Sequence, residues 1–132
     1  MSVDCTAFIA LAERIIASEE SEIAWRVAAS RAYYGALHCC LDLAQRHPSV
    51  FLDPQFPTHE RVYRGVGNLL PSAIGATELK KIIYLTKSIQ KIRNDADYEV
   101  QTDFLRLRAE QAIEEAKKIH DRHLQFCATH KI

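Results

Sequence analysis

Residues 23 to 44 form the longest apolar stretch of the chain, rich in alanine and interrupted by Arg26, Arg31 and Asp42. Three charges are too many for a membrane span, where each costs about 2.5–3.5 kcal/mol at the bilayer centre. The stretch is therefore expected to be a buried core helix, apolar on nearly every side and central to the fold. A chain of 132 residues leaves room for one core, so a single domain over 1–132 is expected, with no membrane association. Gly and Pro number only four each, which argues against a β fold full of tight turns. The 48% apolar content is too high for a disordered chain.

The remaining elements arrange themselves around that helix. Residues 5 to 17 bring Phe8, Leu11 and Ile15 onto one face at helical spacing. Ser18 and Ser21 each offer an N-cap for the central helix, expected over about 21 to 46, with acids where its dipole favours them. His47-Pro48 should end it, because proline lacks the N–H and clashes with the preceding turn. Three prolines keep the stretch from 48 to 58 irregular. Thr58 can cap a short helix, which Gly65, Gly67 and Pro71 weaken. Further helices are expected from about Thr77 to Asp95 and from about Thr102 to Thr129. The fold class is all-α, an up-and-down bundle of four long helices plus a short fifth.

Lys+Arg and Asp+Glu balance at 17 each, which excludes a uniformly basic coat for nucleic acid and still allows a local basic face. Of the four cysteines, Cys39 and Cys40 are neighbours inside an apolar stretch, and Cys5 and Cys127 show no framework spacing. The start MSVDCTAF lacks the layout of a signal peptide, so a reduced, cytoplasmic setting is expected.

Two constellations on separate helices carry potential chemistry. In RAYYGALH, Arg31 and His38 lie seven residues apart and within about 20° of each other around a helix, with Tyr34 between them. Asp42 follows His38 by four and could orient or charge its imidazole. In RNDADY, Arg93 falls within about 40° of Ile89 on the core side, with Asp97 one turn on. The two charges on that side should pair with each other or with a neighbour, and Arg31 or His38 is the obvious neighbour. Arg31, Tyr34, His38, Arg93 and Asp97 thus form either a shared polar pocket or a buried clamp between two helices. A histidine there could move a proton and an arginine could steady a phosphate oxygen.

The opposite face of the Arg93 helix is basic. Lys80, Lys87 and Lys91 share one stripe with Tyr84, and residues 80 to 93 contain no acid. Such a stripe is either a solvated face or a track for a phosphate backbone, with the tyrosine free to stack on a base. Near the C-terminus His120, His123, Cys127 and His130 share one side of a helix. Strung over about 15 Å, they cannot all reach one ion, though a pair could with help from a second chain; the expectation is no metal and no cofactor.

RAYYGALH followed about 55 residues later by RNDADY resembles the HEPN family of small helical domains, in its branch with an Ala-Tyr-Tyr motif, over nearly the whole chain. The resemblance implies a homodimer associated with RNA or nucleotides, paired with a nucleotidyltransferase-type protein or placed in a toxin–antitoxin or defence system. Active members of the family are metal-independent RNases that join an Arg, a polar residue and a His across the dimer cleft. Here Arg93-Asn94 matches the opening, but Tyr98, Glu99 and Val100 stand where the His belongs. Arg31 and His38 have the spacing but lie on the earlier helix, with Ala32 in place of the polar residue. The leading expectation is a non-enzymatic nucleic-acid- or nucleotide-associated module. An RNase using Arg31 and His38, and a purely structural interaction domain, are the alternatives.

Overall fold

In the computed structural model, residues 3–46, 52–67 and 73–132 are described, without the side chains of 73–75. All regular structure among them is helical: α1 (Cys5–Ser18), α2 (Glu22–Gln45), α3 (Thr58–Gly67), α4 (Ala73–Tyr98) and α5 (Arg106–His130). The expected stop at His47-Pro48 lies outside the described residues; α2 ends just before it, at Gln45. Ser21 supplies the N-cap, accepting from Ala24 N at 3.2 Å, while Ser18 closes α1. Thr58 proves to be the first residue of α3 rather than its cap, and the Pro57 carbonyl accepts from Arg61 N at 2.8 Å.

The central helix packs against each of the other four. Alanines make this possible: Ala28, Ala29, Ala32 and Ala36 of α2 are fully buried, as are Ala12 of α1 and Ala109, Ala112 and Ala116 of α5. Small side chains bring helix axes together, and the larger Leu43, Ile82, Ile89 and Ile119 fill the space where the axes diverge. Gly35 marks the closest approach. A Cβ added there would lie 2.7 Å from Ile9 Cγ1 and 3.2 Å from the Cys5 carbonyl oxygen.

Ile9 of α1 sits directly on Gly35. Cys5, Ile9, Ala12 and Ile16 are buried, not the expected Phe8–Leu11–Ile15 face, whose Leu11 is exposed. α4 is longer than expected at both ends, whereas α5 starts four residues later than expected, at Arg106. One side chain explains the late start. Arg26, buried on α2, donates through Nη1 to the carbonyls of Asp95 (3.1 Å) and Ala96 (2.9 Å), and through Nη2 to those of Glu99 (3.3 Å) and Thr102. It caps the C-terminus of α4, where unpaired carbonyls and the helix dipole favour a cation. Glu22, one turn earlier on α2, accepts from Phe104 N and holds the connection to α5 extended.

All four cysteines are free and buried. No helix among the described residues is long and apolar enough to cross a membrane.

Candidate nucleic-acid interface

Ala32, Tyr33 and Ala36 turn inward on α2, and the half-buried Arg31, Tyr34, His38 and Asp42 are left on its outer side. Opposite the first two, α4 presents Arg93 and Asp97 as an i,i+4 pair, with Arg93 Nε 2.9 Å from Asp97 Oδ2. That contact is an ion pair whose angle falls short of a hydrogen bond. The directed bonds of Arg93 run from Nη2 to the Tyr34 hydroxyl (3.0 Å) and from Nη1 to Asn94 Oδ1 (3.1 Å). Ser30 Oγ donates to Asp97 Oδ2 at 3.2 Å and accepts from Arg31 Nη2 at 3.4 Å. Arg31 therefore reaches Asp97 only through Ser30. Of the two expected pairings for Asp97, with Arg93 on its own helix or with Arg31, the direct contact is the one with Arg93.

The Tyr34 ring is the common platform of this cluster. The Arg31 guanidinium carbon stands 4.9 Å from its centroid and that of Arg93 5.4 Å. Arg93 has spent most of its donors. Arg31 has not: its one hydrogen bond among the described residues is the long contact to Ser30. A guanidinium held by stacking with its donors free is suited to an oxyanion.

His38 is not part of this cluster. Seven residues place it about 10 Å along the axis from Arg31, and its ring stacks on Phe8 of α1 at 4.7 Å. Nor does Asp42 serve it. The Asp42 carboxylate takes Arg46 Nε at 2.8 Å and His123 Nε2 of α5 at 2.6 Å. His123 is buried, and burial outweighs the bond to Asp42 in holding its imidazole below the usual histidine range. The pair is thus a neutral imidazole donating to a carboxylate. His38, His120 and His123 line one open cleft with Asp42, whereas Cys127 is buried and His130 packs on Phe126. Among the described residues no group of three His, Cys, Asp or Glu side chains is placed to hold a metal ion.

Lys80, Tyr84, Lys87 and Lys91 are all exposed, Tyr84 to 70%. Among the described residues none of these lysines has an ion-pair partner; Lys87 Nζ lies 5.3 Å from the Tyr63 ring centroid. The stripe extends beyond its expected end. Tyr98, seven residues past Lys91 and so within about 20° of it around α4, is 67% exposed. Its hydroxyl lies 3.5 Å from Arg93 Nη2. Lysines and tyrosines thus run some 27 Å along α4, from Lys80 into the Arg31–Tyr34–Arg93 cluster.

Beneath Tyr34 lies a network built from residues that spacing did not single out. Tyr33, its neighbour in sequence, is fully buried and bonds to His59 and Tyr63 of α3; Tyr63 bonds in turn to Gln90 of α4. The available signal was the i,i+4 step from His59 to Tyr63, which puts both on one face of a short helix. Comparison with protein-family models, curated proteins and solved structures finds no match to the chain.

Proposed function

We propose that this chain is a HEPN-like domain, an up-and-down bundle of four long helices and a short one, that binds single-stranded RNA or nucleotides as a homodimer. In this reading it works without catalysing a reaction, in the cytoplasm, beside a nucleotidyltransferase-type partner or within a toxin–antitoxin or defence system. The observation that carries the nucleic-acid part is the row of exposed Lys80, Tyr84, Lys87, Lys91 and Tyr98 on one side of α4, with the Tyr98 hydroxyl 3.5 Å from Arg93 beside the Arg31–Tyr34 stack. Exposed cations of this kind suit phosphates, and exposed phenol rings beside them suit stacking on bases. The RNase alternative, built on Arg31 and His38, gains nothing from the geometry within one chain, since His38 stacks on Phe8 about 10 Å along α2 from Arg31.

The test is salt-dependent binding of labelled single-stranded RNA. Affinity should fall steeply between about 50 and 200 mM salt, and each of Lys80→Ala, Lys87→Ala and Lys91→Ala should make the log–log slope shallower by about 0.7. Undetectable binding at low salt refutes the nucleic-acid reading, and the same lysines then form a solvated face.

A further inference from the structure

The cluster on Tyr34 holds a carboxylate as well as two guanidiniums, and the contacts between them set its charge. Arg93 Nε stands 2.9 Å from Asp97 Oδ2, with 14% of the Arg93 side chain exposed. The rest of that guanidinium is committed to Tyr34 and Asn94. Asp97 thus neutralises Arg93 from within the protein. Arg31 has no such partner. Among the described residues its one hydrogen bond is to the uncharged Ser30 Oγ, at 3.4 Å, and no carboxylate pairs with it.

Two guanidiniums and one carboxylate leave a single positive charge, carried by the side chain whose donors are free. Asp97 also stays close to whatever Arg31 binds. Its Oδ2 lies 3.2 Å from Ser30 Oγ, which lies 3.4 Å from Arg31 Nη2, so these contacts laid end to end keep the carboxylate within about 7 Å of that nitrogen. Part of the carboxylate faces water, since 28% of the Asp97 side chain is exposed. An anion hydrogen-bonded to Arg31 then lies about 6–10 Å from the Asp97 charge, which in a water-like dielectric lowers affinity about two- to threefold per unit of ligand charge.

Phosphate groups differ in this same property. An internal phosphodiester carries one negative charge, whereas a phosphomonoester carries about 1.5–2 at neutral pH. We infer that the Arg31–Tyr34–Arg93 cluster takes an internal phosphodiester of a strand, and that Asp97 is the residue that disfavours terminal phosphates and free nucleotides there. The inference rests on the nucleic-acid reading above and goes beyond it by choosing the strand over the nucleotide and naming the residue that makes the choice.

Fluorescence anisotropy at low salt, with one single-stranded RNA carrying either a 5′-hydroxyl or a 5′-monophosphate, tests it. The wild-type protein should bind the two strands within about threefold of each other. Asp97→Asn keeps an acceptor for Ser30 and removes the charge. It should raise affinity for the 5′-hydroxyl strand about two- to threefold and for the phosphorylated strand about four- to ninefold, so that the ratio between them widens. A wild-type preference for the phosphorylated strand above about threefold, or an unchanged ratio in folded Asp97→Asn, overturns the role of Asp97 and leaves the nucleic-acid reading standing. Absence of binding to both strands overturns both. The wild-type comparison decides the matter even if the Asp97 variant fails to fold.

Discussion

Arg26 is the residue whose loss should cost this fold most for its size. Its guanidinium is buried and holds four backbone carbonyls at the end of α4 and in the connection to α5. Arg26→Met keeps the apolar stem near Phe104 and removes every one of those donors. A hydrogen bond to a charged group contributes about 1.5–3 kcal/mol, and a buried carbonyl left unpaired loses that in full. Only the contact to Ala96 is wholly buried; the other carbonyls can turn partly to water. One full bond and a share of the rest give a loss of about 3–4 kcal/mol, a large part of the 5–15 kcal/mol typical of a domain. With a urea m-value of about 2 kcal/mol per molar, the unfolding midpoint should fall by about 1.5–2 M. Arg26→Lys should lose about half as much, since one ammonium cannot span carbonyls arranged for a planar fork. A methionine variant within about 0.3 M of the wild type, or a lysine variant equal to it, refutes the capping role. The last turns of α4 also hold Arg93, Asp97 and Tyr98, so RNA affinity should drop in folded Arg26→Met although Arg26 itself lies beneath that surface.

Gly35→Ala should destabilise by about 1–3 kcal/mol in the same urea assay, because the new methyl meets Ile9 Cγ1 and the Cys5 carbonyl and α1 must shift outward. Alanine is the better helix former by about 1 kcal/mol, so a net gain in stability would show that α1 is not held this close. Stability should also fall with acidification below about pH 6.5, the ordinary histidine value, because His59 and His123 are both held lower in the fold and the unfolded chain takes up protons first. The loss accumulates until the folded-state values are passed and then levels off; His123→Gln should flatten the slope, and an unchanged slope refutes the neutral assignment of His123.

Much of the fold follows from composition and spacing. The alanine-rich stretch has to be central because its small side chains suit close helix packing and its few charges suit no membrane, and α2 does contact every other helix. The errors arise where an interaction between elements overrides a local pattern. Phe8, Leu11 and Ile15 have good helical spacing, but the face of α1 buried against α2 is the one carrying Ile9, which sits on Gly35, with Phe8 and Ile15 half-buried at its edges. The region after Thr102 has good helix formers, yet Arg26 and Glu22 hold 102–104 out of the helix from a position some 80 residues away in sequence. Asp42 stands one turn from His38 and still bonds to His123 of α5.

Adjacent tyrosines show why the polar face was only half legible. Consecutive residues on a helix diverge by about 100°, so a Tyr-Tyr pair at the border of a buried face sends one ring in and one out. Tyr34, facing out, collects Arg31 and Arg93, and both partners could be listed from i,i+3 and i,i+4 steps within their own helices. Tyr33, facing in, takes its partners from α3 and α4, and no spacing rule within α2 connects residue 33 to residues 59, 63 or 90. Both rings depend on the same seating of α3. If the inner chain of hydroxyls is broken, by Tyr63→Phe for instance, α3 loses the bond from Tyr63 to Gln90 and stays joined to α4 at the His59–Gln90 contact, while Arg31 and Arg93 stay on Tyr34. The geometry therefore splits the pair by environment: the outer ring carries two guanidiniums at the surface, and the inner ring ties α2 to α3.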